Sequence, residues 1–235
     1  MMQDDPIVIT GAARTPIGGF QGSLAPVSAP ELGSAAISAA LERSAVTPES
    51  IEEVLMGCVL PAGLRQAPAR QAALGAGLPM GAPCTTINKM CGSGMKAAML
   101  AHDHILAGSG RIVIAGGLES MSNAPYLLPK ARGGYRLGNG ELLDHMFVDG
   151  LEDAYEPGKL MGNFAEDCAE RYSFSRKDQD DFAIESLTRA TEAIENGAFR
   201  DEIITVSVNT RKETMTVDTD EQPLAANIEK IPYLK

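Results

Sequence analysis

Tryptophan is absent from the chain and histidine occurs only three times, so imidazole, the commonest general base, has few carriers here. Cysteine is scarce too. Cys58, Cys84, Cys91 and Cys168 form no CxxC pair and have no metal-ligand spacing. This argues against the usual zinc and disulfide frameworks and makes a reduced, cytoplasmic protein without a metal the expectation. Positive charge is in deficit: 20 lysines and arginines face 31 acidic residues, for a formal net charge of −11. Such a balance disfavours nonspecific attraction to nucleic acid or to an anionic bilayer. No apolar run reaches the length of a membrane span. Met1-Met2-Gln3-Asp4-Asp5 has neither the basic n-region nor the apolar core of a secretory signal. Neither nucleic acid nor membrane is expected as a partner.

What remains is the composition of a folded protein. The 235 residues are 44% hydrophobic and 22% charged, enough to bury a core in one large domain or in a domain with a substantial insertion. Ile7-Val8-Ile9 reads as a strand that breaks at Gly11, and a helix rich in alanine, leucine and isoleucine follows over about residues 30–44. Thr47-Pro48-Glu49 has the capping residue and N1 proline of a short helical turn. Residues 53–60 read as a strand, 67–78 as an alanine-rich helix and 83–87 as a β-branched strand. Arg111-Ile112-Val113-Ile114-Ala115 is an apolar run of buried-strand length, ended by Gly116-Gly117. Strands alternating with helices imply an α/β layer architecture, a sheet covered on both faces.

The alternation stops after Glu119. From there to Lys159 glycine, proline, tyrosine and mixed charge dominate, the composition of a long functional loop, a lid or an excursion onto a partner. Ser175 as N-cap and Asp178 at the capping-box position open the clearest helix, with Phe182, Ala183, Ser186, Ala190, Ala193 and Ile194 on one face until Asn196-Gly197. Residues 203–208 then read as a strand, and the remainder to Lys235 is polar and irregular.

One cysteine stands at a junction. In Asn88-Lys89-Met90-Cys91-Gly92-Ser93-Gly94, the strand lies upstream, and downstream Met95, Ala98, Met99, Ala101, Ile105 and Leu106 recur at roughly helical spacing. The first turn of a helix has N–H groups without intrahelical partners, its partial positive charge favours a thiolate, and glycines let a ligand approach the main chain. Covalent acyl transfer uses this chemistry. A lone cysteine is more often a small core side chain, so the local pattern leaves both readings open. Cys84 and Cys168 read as core residues, and Cys58 as part of a buried strand.

The run from Asn88 to Ala97 resembles the acyl-enzyme motif of the thiolases, which join or cleave acyl-CoA thioesters. Gly116-Gly117-Leu118-Glu119-Ser120-Met121-Ser122-Asn123-Ala124-Pro125 and Ser175-Arg176-Lys177-Asp178-Gln179-Asp180 resemble the same family, in the same order. The similarity runs to the last residue and is nearest to the acetyl-CoA acetyltransferase branch. It implies a thiolase-like layered α/β fold. Residues 1–120 would be its N-terminal half, a mixed sheet covered by helices, and residues 121–235 an inserted α+β loop domain that binds CoA and builds a homodimer or homotetramer. Cys91 would be the acyl-thioester nucleophile in a ping-pong reaction of acetyl-CoA or acetoacetyl-CoA, with its own amide as an oxyanion donor. No cofactor is implied, because coenzyme A is a substrate group. Met161 matches a methionine at the acyl pocket and Leu151 a leucine near the pantetheine, though packing is the commoner fate of both residue types. Lys130, Arg132 and Arg136 could meet CoA phosphates, a solvated surface being their default.

The chain also departs from the family. Leu160 stands where some members have a CoA-contacting histidine, and Leu224 where many have an arginine near the nucleotide, so neither is assigned to CoA. The Gly-His-Pro and Asn-Glu-Ala-Phe motifs and the second catalytic cysteine, all from the family's C-terminal half, do not occur here. The expectation is therefore a truncated piece, a fragment or one part of a split enzyme, with exposed apolar surface and little or no turnover of its own. The alternatives are a noncatalytic thiolase-like module for CoA binding or oligomerisation, and a decarboxylating acyl synthase of the same superfamily. No histidine is a convincing base. His102 and His104 sit roughly 16 and 20 Å along the helix from Cys91 at about 1.5 Å per residue, and His145 is not excluded by distance but reads as a surface loop residue.

Overall fold

A computed structural model describes residues 6–210 and 213–234. Met1-Met2-Gln3-Asp4-Asp5, read above against a secretory signal, lie outside the described residues. The organising element is β1 (Glu53–Gly57), flanked by β2 (Cys84–Ile87) and β3 (Val113–Gly117) in the order β2-β1-β3. Both pairings are parallel, Val54 standing opposite Cys84 on one side and Ile114 on the other. Successive side chains of a strand point to opposite faces, and β1 uses both. Val54 and Met56 enter a core with Ile37 and Leu41 of α1 (Ala29–Ser44) and Ala69, Ala72 and Ala73 of α2 (Pro68–Gly75). Leu55 points the other way, onto Ala97 and Ala101 of α3 (Ser93–Leu106). Helices on both faces explain why Val54, Leu55 and Met56 are all apolar and buried.

Local signals fix the helix ends. Ser28 caps α1 reciprocally with Glu31, whose carboxylate accepts the Ser28 N–H at 2.9 Å and its Oγ–H at 2.6 Å, and α1 ends on Ala45 in the left-handed region. The second half of the chain contains the short antiparallel pair β4 (Tyr126–Leu127) and β5 (Leu143–Asp144), then α4 (Met161–Arg171) and α5 (Arg176–Glu195). The hairpin of β6 (Val206–Asn209) and β7 (Thr214–Val217) and the short α6 (Glu221–Ala225) follow. Val206, Val208 and Val217 of the hairpin form a second core with Leu24. Among the described residues no helix is long and apolar enough to cross a membrane.

Several expectations change. Ile7-Val8-Ile9 belongs to no strand, with Val8 65% and Ile9 88% exposed. Among the described residues no strand lies beside it to complete a ladder; instead it shares an apolar trough of about 570 Å³ with Ile112 and β3. Over the described residues the three-stranded sheet is parallel at both pairings. β3 runs through Gly116-Gly117 instead of stopping there, because Gly57 of β1 pairs with Gly117. Ser175 and Asp178 open α5 as expected, but Phe182 on its anticipated face is 78% exposed, with nothing packed over it among the described residues. The segment read as irregular contains β7 and α6.

Candidate active site

The C-terminal ends of the three parallel strands bring residues 57–60, 88–91 and 117–119 to one rim of the sheet, the edge at which α/β sheets bind ligands. A cavity of about 430 Å³ opens there. Gly57, Cys58, Val59, Leu60, Met90, Cys91 and Glu119 line it, and Met146, Gly150 and Leu151 come from the second half of the chain. Cys91 is exposed. The strand before it and the helix after it place its thiol at the mouth of α3, the junction expected from the residue pattern.

Close approach of β1 to α3 depends on Gly57. A Cβ there would lie 2.6 Å from Ser93 Cβ, 2.7 Å from Ser93 C and 2.8 Å from Gly94 N, so a side chain would force the helix away from the strand. The turn carrying the cysteine is held by side chains as well. Met90 has a positive φ of 50°, a conformation that costs a non-glycine residue on the order of 1 kcal/mol. Asn88 Oδ1 accepts the Met90 N–H at 2.9 Å, while Ser93 Oγ accepts the Lys89 N–H at 2.9 Å and donates to Met90 O at 2.6 Å. Among the hydrogen bonds of the described residues none engages the Cys91 N–H, which leaves that donor for a ligand oxygen.

Glu119, two residues after β3, locks the opposite wall. Its carboxylate accepts the Val59 N–H at 2.7 Å and the Leu60 N–H at 3.2 Å, and the Cys58 thiol points to it at 3.8 Å. Burial first, and then the Glu119 charge, push the Cys58 thiol up to about 12. At about pH 8 only some 10⁻⁴ of such a thiol is ionised. Iodoacetamide is therefore expected to label Cys91 in the native chain and to leave Cys58 intact until urea opens the core, as site-resolved peptide mass spectrometry can read. Native labelling of Cys58 at the rate of Cys91 would contradict the burial described.

Nearly the whole chain answers to one family. Residues 7–235 match the model of the thiolase N-terminal domain. The chain belongs to the thiolase family. It is 49% identical over its whole length to an acetyl-CoA acetyltransferase of Pseudomonas aeruginosa and 50% identical to one of Schizosaccharomyces pombe. A Cupriavidus necator protein of the same name is 51% identical over 92% of the chain. The chain spans 59%, 60% and 55% of these three relatives' own lengths.

Of the thiolase positions anticipated, Cys91 and Leu151 share the cavity. Met161 does not line it; it is the first residue of α4, 47% exposed. Leu160 is half-buried just before it, Leu224 on α6 is 59% exposed, and Lys130, Arg132 and Arg136 are exposed. Cys84 is half-buried against the core, but Cys168 is exposed rather than a core residue, because α4 buries only Ala169. His145 is not on the surface: it is 4% exposed, with Asp149 against Nδ1 and the Ala62 N–H against Nε2. Among the described residues no cluster of three His, Cys, Asp or Glu side chains could hold a metal ion. Sequence reasoning gave no role to Glu119, Ser93 or Asp149. Asp149 carried a signal, its spacing of four residues from His145 within one helical turn.

Proposed function

We propose that this chain is part of an acetyl-CoA C-acetyltransferase and carries its acyl nucleophile. The observation that carries the reading is Cys91, exposed in front of a helix N-terminus at the mouth of a cavity, with its amide N–H uncommitted. In the acylation step Cys91 Sγ gives up its proton and attacks the carbonyl carbon of acetyl-CoA. The new Sγ–C bond replaces the C–S bond to coenzyme A, which leaves as a thiol with a proton. The Cys91 N–H stabilises the oxygen that becomes negative in between, which counts most when a donor is already aimed there. The acetyl group then passes to the α-carbon of a second acetyl-CoA to give acetoacetyl-CoA, or the reverse thiolysis runs.

Removing the α-proton needs a base, and His145 is poorly placed for it since both its ring nitrogens are engaged. The family's Gly-His-Pro motif and second cysteine do not occur in the 235 residues, so the isolated chain is expected to acylate and not to turn over. Coenzyme A enters as a substrate group and no cofactor is needed in this scheme. Leu151 on the cavity wall is the better candidate for the pantetheine arm, and Met161 reaches the acyl group only if α4 contributes from outside the cavity. A homodimer or homotetramer belongs to the same proposal. Its support is uncovered apolar surface: Met95 is 74%, Met99 54% and Leu106 60% exposed on α3. Cytoplasmic residence is supported by four free cysteines.

Incubating the full chain with acetyl-CoA is expected to add one acetyl group at Cys91, seen by peptide mass spectrometry and absent from Cys91→Ala. An unmodified Cys91 at saturating acetyl-CoA would overturn the acyl-transfer reading and favour a noncatalytic module. Sustained release of free CoA from acetyl-CoA, with acetoacetyl-CoA formed, would overturn the claim that essential groups are missing.

A further inference from the structure

We infer that His145 is a positioning residue for the Cys91 cavity, its buried imidazole tying the Phe147–Leu151 turn to residues 59–62. The assignment takes its functional meaning from the reading of that cavity as the acyl site. An amide N–H can only donate, so the Ala62 N–H, 3.4 Å from Nε2, marks that nitrogen as the acceptor. The ring proton is then on Nδ1, where it donates to Asp149 Oδ2 at 2.6 Å. Asp149 lies in a π-helical turn spanning Phe147–Leu151, closed by the Glu152 N–H on Phe147 O at 2.8 Å. Such turns are rare and concentrate at functional sites.

This turn supplies Gly150 and Leu151 to the cavity, with Met146 just before it. A Cβ on Gly150 would sit 3.3 Å from Leu60 Cδ2, so turn and segment pack directly. Glu119 holds the segment's other end through the Val59 and Leu60 amides. Asn88 Nδ2 donates to Val59 O at 3.4 Å, and Asn88 Oδ1 in turn holds the Met90 N–H. A continuous series of contacts thus joins the imidazole to the turn that carries Cys91. Packing alone would be served by an apolar side chain, which has no polar atoms to desolvate.

The test uses the full chain, with hydrogen exchange and alkylation as readouts. His145→Leu keeps most of the volume and removes both bonds. It is expected to speed exchange about tenfold in peptides covering 59–64 and 145–152, and to lower the alkylation rate of Cys91 about threefold relative to exposed Cys168. Exchange in α5 should not change. His145→Gln retains an oxygen for the Ala62 N–H and is expected to restore the 59–64 exchange and the alkylation ratio. If His145→Leu does not fold, Asp149→Ala serves, its carboxylate being 53% exposed, with the same pattern expected at smaller amplitude. Unchanged 59–64 exchange, or an unchanged Cys91 to Cys168 ratio, in the folded variant overturns the proposal, as does failure of Gln to rescue. Neither readout involves acetyl-CoA, so a missing acetyl adduct counts against acyl transfer and leaves this result standing.

Discussion

Gly57→Ala is expected to lower the stability of the chain by about 2 kcal/mol, the usual consequence of forcing a methyl group into a filled site. Cys91 alkylation should fall with it. The new Cβ would meet Ser93 Cβ and the main chain of Ser93 and Gly94, all within 2.8 Å, and main chain cannot swing aside as a side-chain tip can. Relief requires the N-terminus of α3 to move off β1. Ser93 would move with it, and Ser93 Oγ is what holds Lys89 and Met90, the two residues just before the cysteine. A urea titration gives the stability change, and the Cys91 to Cys168 labelling ratio gives the local one. Gly94→Ala is the control: the nearest atom to its Cβ would be Gly116 O at 3.7 Å, and alanine is the better helix former by about 1 kcal/mol. It should be neutral or stabilising. Equal losses from both substitutions would show that glycine content, not the contact with α3, sets the effect.

The parts of this site legible in the sequence were those decided within a few residues. The β-branched run of β2 followed by helical spacing from Met95 located Cys91 at a strand-to-helix junction, and Ser175 with Asp178 located the start of α5. What the pattern could not carry was whether a locally suitable segment finds a partner. Ile7-Val8-Ile9 has strand composition, yet a strand also needs a neighbour with a free edge in register, and none lies beside it among the described residues. Phe182 has the right period on α5 but no packing partner covers it. His145 failed in the opposite sense. A polar, glycine-rich loop predicts a surface position for it, whereas its burial depends on Ala62, 83 residues away in the chain.

Arg14→Ala is expected to destabilise the chain by about 2–3 kcal/mol, because removing this half-buried guanidinium leaves the buried Asp220 charge uncompensated. Arg14 grips Asp220 with two bonds, Nη1 to Oδ1 at 2.7 Å and Nη2 to Oδ2 at 3.0 Å, and bonds Glu202 through Nε at 2.6 Å. Asp220 is 7% exposed and would retain only the Ile17 N–H at 2.8 Å. Arg14→Lys should recover little, since an ammonium cannot reproduce the paired geometry. The same contacts set a pH dependence. The Arg14 guanidinium holds the Asp220 carboxyl below its ordinary range, and the Gly19 and Ser23 amides do the same for Glu221 next door. A carboxyl whose value is depressed by folding contributes stability that is complete above its unfolded value, about 3.9 for Asp and 4.3 for Glu. That contribution disappears as pH falls through the folded value. The urea midpoint of the wild-type chain should therefore show no loss from these two groups down to about pH 5 and should drop below about pH 4. Arg14→Ala has already lost the Asp220 share at neutral pH, so its acid drop should be shallower and the two curves should converge. Curves that stay parallel to the acid limit would mean that Asp220 is not what links stability to protons, and that the Arg14 bonds add nothing to the fold beyond packing.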